Sequence, residues 1–299
     1  MTYCLAIPTY NRPEALRRCL ASVRRQSRLP DSILIIDDAS LDPDILTIEK
    51  EAAAKRGIFF DYYKKDHGRE RRGLSESKNI ALERAGTEII FFLDDDITLH
   101  DGFLENIMRR FDENTADDRL LGIGGLIAGA RSVGAAEKLY NRLFGLTAPL
   151  LWDITPAGFQ VWDESISALT RGYYVQGGLC ALRRSPALAL KFSVFDGGRT
   201  GLEDVDFCCR AKQAGYHFLI EPTARADHAH DMKSREGDFL SGQKEGLNRR
   251  EIFRQTCRHS LANRGLFIRN NIGWVLRQFL AGHFIKGWGM VVGLFSRKS

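Results

Sequence analysis

Ile89-Ile90-Phe91-Phe92-Leu93-Asp94-Asp95-Asp96 decides the fold. Five bulky apolar residues in a row suit a strand buried on both faces, and the run is too short for a buried helix. Three adjacent carboxylates at the end of such a strand repel one another and resist desolvation. A divalent cation among them would relieve both costs. Hard ions such as Mg2+ or Mn2+ take oxygen ligands, and Mg2+ usually reaches one or two carboxylates plus substrate phosphates. The stretch therefore points to a metal–diphosphate site, with a solvated turn or helix N-cap as the plain alternative. Strand alternation would send Asp94 and Asp96 one way and Asp95 the other.

Working outward, the chain alternates strands and helices. Tyr3 to Ile7, Ser32 to Ile36, Ile58 to Tyr63 and Glu88 to Leu93 read as strands. Pro13 to Gln26, Pro43 to Arg56 and Leu74 to Ala85 read as the helices between them. Further on, Asp101–Phe111 is a helix and Leu120–Ile127 a strand. After a loop-rich stretch over 129–172, Tyr173–Arg183 reads as a strand, Ser185–Leu190 and Gly201–Ala214 as helices, and Tyr216–Ile220 as a strand. Such alternation predicts an α/β fold with a doubly wound, mostly parallel sheet. Ligands of such sheets bind beyond the carboxyl ends of the strands. Pro8-Thr9-Tyr10-Asn11, Asp37-Asp38-Ala39-Ser40 and Asp94-Asp95-Asp96 all fall there. Arg69, Arg71, Arg72 and Lys78 surround Gly73 ahead of a helix, which suits a diphosphate or simply a solvated basic loop.

The chain has 299 residues, 44% of them hydrophobic, enough for one large catalytic domain with an appendage. No apolar run is long enough for a transmembrane helix, and the N-terminus lacks the pattern of a signal peptide. Six scattered cysteines without a CxxC argue against a zinc site or a disulfide framework and suit a reducing cytoplasm. Net charge is +5, yet no acid follows Glu251 while eight positives do, so residues 1–251 carry net −3. Within 265–299, Trp274, Phe279, Phe284, Trp288 and Phe295 alternate with Arg269, Arg277, Lys286 and Arg297. Aromatics with only positive charge suit an anionic membrane surface; packing on the core or on a second copy is the alternative. Several glycines weaken any single long helix there. No nucleic-acid recognition motif accompanies the charge.

The ordered strings IPTYNRP (7–13), IIDDAS (35–40), GLSESKNIALERA (73–85), FFLDDDI (91–97), VQGGLCALRR (175–184) and GLEDVDFCCR (201–210) resemble family 2 glycosyltransferases of the GT-A fold. The resemblance covers roughly 3–232. It implies a catalytic domain over 1–232, with a nucleotide-binding half to about 128 and an acceptor half from about 129. A C-terminal helical, basic and amphipathic region over 233–299 would follow. It also implies a nucleotide-sugar donor, bound by Pro8, Thr9, Tyr10, Asn11, Asp38, Arg71, Lys78, Asp94, Asp95, Gly177 and Gly178. Asp38 would accept a hydrogen bond from the base, with Asp37 orienting the loop. Asp94 and Asp96 match the family's DxD, Asp96 being the direct ligand of Mn2+ or Mg2+. His228 would touch the metal or diphosphate, and His230 is the weaker choice. Asp204 matches the base of an inverting transfer, with Glu203 in support and Asp206 turned away; acids in a first helical turn also serve the helix dipole.

These readings converge on a sugar transfer from a nucleotide-sugar, with uridine diphosphate favoured, to a glycan or lipid-linked acceptor hydroxyl in polysaccharide or glycolipid synthesis. The place of work would be the cytoplasmic face of the cell membrane, held peripherally. A sugar nucleotidyltransferase should carry a glycine-rich loop after the first strand, and Ile7-Pro8-Thr9-Tyr10-Asn11 has no glycine. A noncatalytic carbohydrate- or membrane-binding scaffold should have lost the acids, and Asp38, Asp96 and Asp204 are present.

Overall fold

In the computed structural model, which describes residues 1–129, 133–195, 201–229 and 237–296, the first half follows the predicted alternation. β1 (Tyr3–Thr9), α1 (Pro13–Arg24), β2 (Ser32–Asp37), α2 (Pro43–Ala54), β3 (Phe59–Lys64), α3 (Leu74–Arg84) and β4 (Ile89–Leu93) come first. β5 (Ile97–Leu99), α4 (Phe103–Glu113), β6 (Leu120–Ile127) and α5 (Ala135–Leu143) follow. Then come the short strands β7 (Asp153–Ile154), β8 (Gln160–Val161) and β9 (Thr170–Gly172). β10 (Leu179–Arg183), α6 (Arg184–Leu190), α7 (Glu203–Gln213) and β11 (His217–His228) complete the sheet region. Three helices close the chain: α8 (Asp238–Thr256), α9 (Leu261–Leu280) and α10 (Phe284–Phe295).

The large sheet has the order β3-β2-β1-β4-β10-β6-β11-β5, with β9 paired to β11. β1 to β4, β6 and β11 share one direction, while β10, β5 and β9 oppose it. β4 lies mid-sheet and is buried on both faces, which is why it reads as an unbroken apolar run. Ile90 and Phe92 join the core under α3, α6 and α7, and Phe91 and Leu93 the core under α1 and α4. The strand predicted over Tyr173–Arg183 forms only at Leu179–Arg183 and runs antiparallel between β4 and β6. Its first half is needed as loop, because Gly177 and Gly178 pass against side chains of the site. The last strand is longer than the predicted Tyr216–Ile220, continuing through a bulge to His228.

The tail glycines that weaken a helix in isolation serve packing instead. α8 and α10 cross closely enough that a Cβ on Gly242 or Gly246 would strike the α10 backbone. Gly289 and Gly293 meet the α8 backbone in the same way. Two small-xxx-small patterns thus bring the helices together, as such patterns do wherever backbones approach. α9 runs 20 residues despite Gly265 and Gly273, the latter packed under Phe144. The boundary expected at 232–233, His230, Arg297 and Lys298 lie outside the described residues.

Candidate active site

Three loops at the carboxyl ends of β1, β2 and β4 meet. Pro8 and Thr9 are the buried end of β1, and Thr9 donates its hydroxyl to Asp95 Oδ2 at 2.7 Å. Asn11 adopts φ 52°, a left-handed conformation that asparagine tolerates, beside the half-buried Tyr10. That turn aims Arg12, at the N-cap of α1, back at the acids: its Nη1 lies 3.1 Å from Asp95 Oδ1 and 2.9 Å from Asp96 Oδ2. Asp37 accepts hydrogen bonds from the Ala39 and Leu41 amides and the Tyr62 hydroxyl, tying down the β2–α2 loop. Asp38 accepts the Gly73 amide at 2.8 Å, and Lys65 Nζ sits 3.0 Å from its other oxygen, an ion pair without hydrogen-bond alignment. Asp38 is thereby anchored to the loop before α3, where Arg71 is exposed.

At the triplet the strand stops and the chain turns, with the Ile97 amide donating to the Asp94 carbonyl. The expected strict alternation therefore fails: Asp95 and Asp96 share Arg12, while Asp94 packs against Gly178, whose Cβ would strike its carboxylate. Asp96 Oδ1 faces His228 Nε2 at 3.1 Å. Burial pushes Asp96 up, but His228 and Arg12 outweigh it and hold the carboxyl below its ordinary value. Burial raises Asp95 to about 6 against the opposing pull of Thr9 and Arg12. Burial also raises Asp94, with Lys78 opposing.

The acceptor-side acids open α7 after Leu202, which turns the chain at φ 78°. Asp204 Oδ2 accepts the Tyr174 hydroxyl at 3.0 Å and the Gly177 amide at 3.2 Å. Burial and the neighbouring Glu203 raise its pKa to about 6, against Lys78, Gly177 and Tyr174. Glu203 is locked to Lys78 at 2.8 Å. Lys78 is fully buried, with its ammonium among acids instead of on an open surface. Asp206 faces inward to Arg210. One cleft is lined by Asp94, Gly177, Gly178, Glu203, Asp204 and His228. Asp96 joins it through His228, and Asp38 reaches its edge through Gly73, next to the lining Leu74.

Among the described residues no three His, Cys, Asp or Glu side chains gather into a preformed metal cage. Asp96 and His228 provide two converging donors, a carboxylate oxygen and an imidazole nitrogen, a set that fits Mn2+ better than the oxygen-preferring Mg2+, completed by phosphate oxygens. Sequence reasoning overlooked Arg12, Lys65 and Tyr174. Arg12 was visible inside IPTYNRP and Tyr174 just before VQGG, but neither string says what the side chain touches.

A doubly wound sheet with acids at its rim, in this strand order, is the GT-A fold of nucleotide-diphospho-sugar transferases. A structure of GalNAc-T7 with UDP, GalNAc and Mn2+ superposes with TM-score 0.57 at 14% identity, covering 95% of this chain and 58% of that one. The mannosyltransferase PcManGT of Pyrobaculum calidifontis, in complex with GDP-Man and Mn2+, gives 0.57 at 17% identity over 98% and 79%. The sequence model of glycosyl transferase family 2 matches residues 4–137, so this stretch is similar to that family. The pre-mycofactocin glycosyltransferase of Mycobacterium tuberculosis is 25% identical over 232 residues, 78% of this chain. This chain spans 43% of that relative's length.

Proposed function

We propose that the chain transfers a sugar from a nucleotide-sugar to an acceptor hydroxyl, with inversion and with a divalent metal. The observation that carries the reading is the pairing across one cleft of Asp96, in contact with His228, with Asp204, a carboxylate tuned to about 6. Asp38, Tyr10 and the end of β1 would take the nucleoside, and Arg71 with the amides ahead of α3 the diphosphate. Gly177 and Gly178 leave room for a sugar beside Asp94 and Asp204. Asp96 and His228 would hold the metal, whose chemistry is to neutralise charge on a departing diphosphate. Asp204 would accept the proton of the attacking hydroxyl, and a base tuned near neutrality is both ionised and effective at cellular pH. Residues 1–232 would form this catalytic unit. A panel of UDP-, dTDP- and GDP-sugars with Mn2+ tests the reading. Release of nucleoside diphosphate from one of them supports it. Pyrophosphate made from a nucleoside triphosphate and a sugar phosphate would favour a nucleotidyltransferase, and release from none would favour a scaffold.

Asp96→Ala removes a metal donor while leaving the base contacts intact. Calorimetry should show Mn2+-dependent donor affinity falling at least tenfold, comparable to or beyond the loss from perturbing a ligand's supporting shell. Affinity without Mn2+ should stay put. Equal losses under both conditions would remove Asp96 from the metal site.

We further propose that the enzyme works at an anionic membrane surface, on a lipid-linked or other glycan acceptor. Among the described residues no helix is long and apolar enough to cross a membrane. Instead Ile268, Ile272, Phe284 and Trp288 stand exposed on α9 and α10. α5 lies against α9 through Tyr140 on the Gly273 carbonyl and Arg269 on that of Arg142, and adds exposed Leu139 and Leu143. Exposed Arg264 and Arg269 lie on α9, and no acid occurs after Glu251, so the charge favours anionic lipid. Leu139→Glu/Leu143→Glu should cut flotation with phosphatidylglycerol vesicles about tenfold. Wild-type flotation, or a concentration-dependent dimer lost in the same variant, would turn the face away from lipid.

A further inference from the structure

Arg12 has no role in the site described above, yet its guanidinium lies directly against the metal donor Asp96. Its guanidinium spans Asp95 Oδ1 and Asp96 Oδ2, at 3.1 and 2.9 Å. The remaining oxygens are held elsewhere: Asp95 Oδ2 by the Thr9 hydroxyl and Asp96 Oδ1 by His228. Two features place Arg12 there, the left-handed turn at Asn11 and its own N-cap position on α1. Its side chain is mostly covered, 22% exposed, so solvent screens the charge only partly.

We propose that Arg12 is a positioning residue that acts as the resident counter-ion of the metal site and makes metal binding depend on the donor. The inference rests on the metal-dependent reading above. A dication approaching Asp96 meets a carboxylate whose charge Arg12 already shares, and also meets Arg12 itself. Both effects weaken binding of the bare ion. A nucleoside diphosphate that completes the metal's ligand set would bring negative charge to the same ion and offset that repulsion. Metal and donor therefore bind together better than either binds alone, and the coupling is reciprocal by linkage. Arg12 holds Asp96 Oδ2, but it is not the carboxylate's only anchor. His228 fixes Oδ1, and the Ala229 amide fixes the Asp96 carbonyl at 3.0 Å. Removing the guanidinium therefore removes charge while the His228 contact to Oδ1 and the backbone bond remain. Arg12 makes no side-chain cap bond, so α1 does not depend on it for capping.

The test is Mn2+ titration of the full chain by calorimetry, with and without saturating UDP or GDP. Arg12→Met, which keeps a stem of similar length without charge, should bind Mn2+ alone at least tenfold more tightly than wild type. Its gain in Mn2+ affinity on adding nucleotide should shrink by a similar factor. Arg12→Lys should keep the bare-ion affinity within about threefold of wild type, a rescue that a purely structural role would not produce. If wild type shows nucleotide-dependent Mn2+ binding but Arg12→Met binds the bare ion equally or more weakly, the counter-ion role is overturned and the metal-dependent reading stands. If wild type binds no Mn2+ under either condition, both fall together.

Discussion

Asp204→Asn should lower the rate of sugar transfer about a thousandfold while leaving donor affinity within about twofold. The factor is the usual worth of a positioned general base, 10² to 10⁴. Asparagine keeps the shape and can still accept the Gly177 amide, so the loss falls on proton transfer and not on the fold. In wild type the base must be unprotonated, so kcat/KM should rise with pH and level off above about 6. Asp95 titrates in the same range, so the limb needs an assignment. Tyr174→Phe supplies it. The Tyr174 hydroxyl bonds to Asp204 and lowers its pKa, so its removal should move the limb upward. A limb that stays in place in Tyr174→Phe belongs to another group. Asp204→Asn turning over like wild type excludes Asp204 as the base.

The arrangement behind this prediction was only partly legible in the sequence. β4 announces itself because a strand buried on both faces admits only apolar residues. The clustering of strand-end acids follows from the handedness of crossovers, so Asp38 and Asp96 could be brought to one rim before any coordinates. Strand direction is different. Side-chain patterns report which face is buried and say nothing of polarity, so the antiparallel course of β10 between β4 and β6 was hidden. A three-residue strand such as β5 is too short for periodicity to register, and with it went the turn that breaks the alternation of Asp94, Asp95 and Asp96. Lys78 was noticed as a cation near Gly73 and read toward phosphate. Its observed partner, Glu203, lies 125 residues away, and no local rule reaches that far.

That distant pair gives the second large effect. Lys78→Met should destabilise the protein by about 3–5 kcal/mol at pH 8, the range for breaking a buried ion pair by removing one partner. Lys78 is fully buried, 2.8 Å from Glu203 and packed near the rings of Phe92 and Phe192. Burial alone would strip its proton, but Glu203, Asp94 and Asp204 more than offset that and keep the ammonium charged beyond its ordinary range. Methionine fills the stem's volume and leaves those acids facing one another without a cation. They can then escape only by taking protons. Lys78 now lowers the pKa of both Asp94 and Asp204, so in the variant both must climb further above their ordinary values. An acid whose folded pKa lies above its unfolded one favours the folded state at low pH and loses that advantage as pH rises through the folded pKa. The destabilisation measured by urea unfolding should therefore be smaller at pH 5 than at pH 8. Any transfer activity that survives should show its acid limb above about 6, because the same cation that supports the fold also keeps the base ionised. A loss below about 1 kcal/mol at pH 8, or a loss that does not change with pH, would mean that the acids at the head of α7 are stabilised by something other than Lys78.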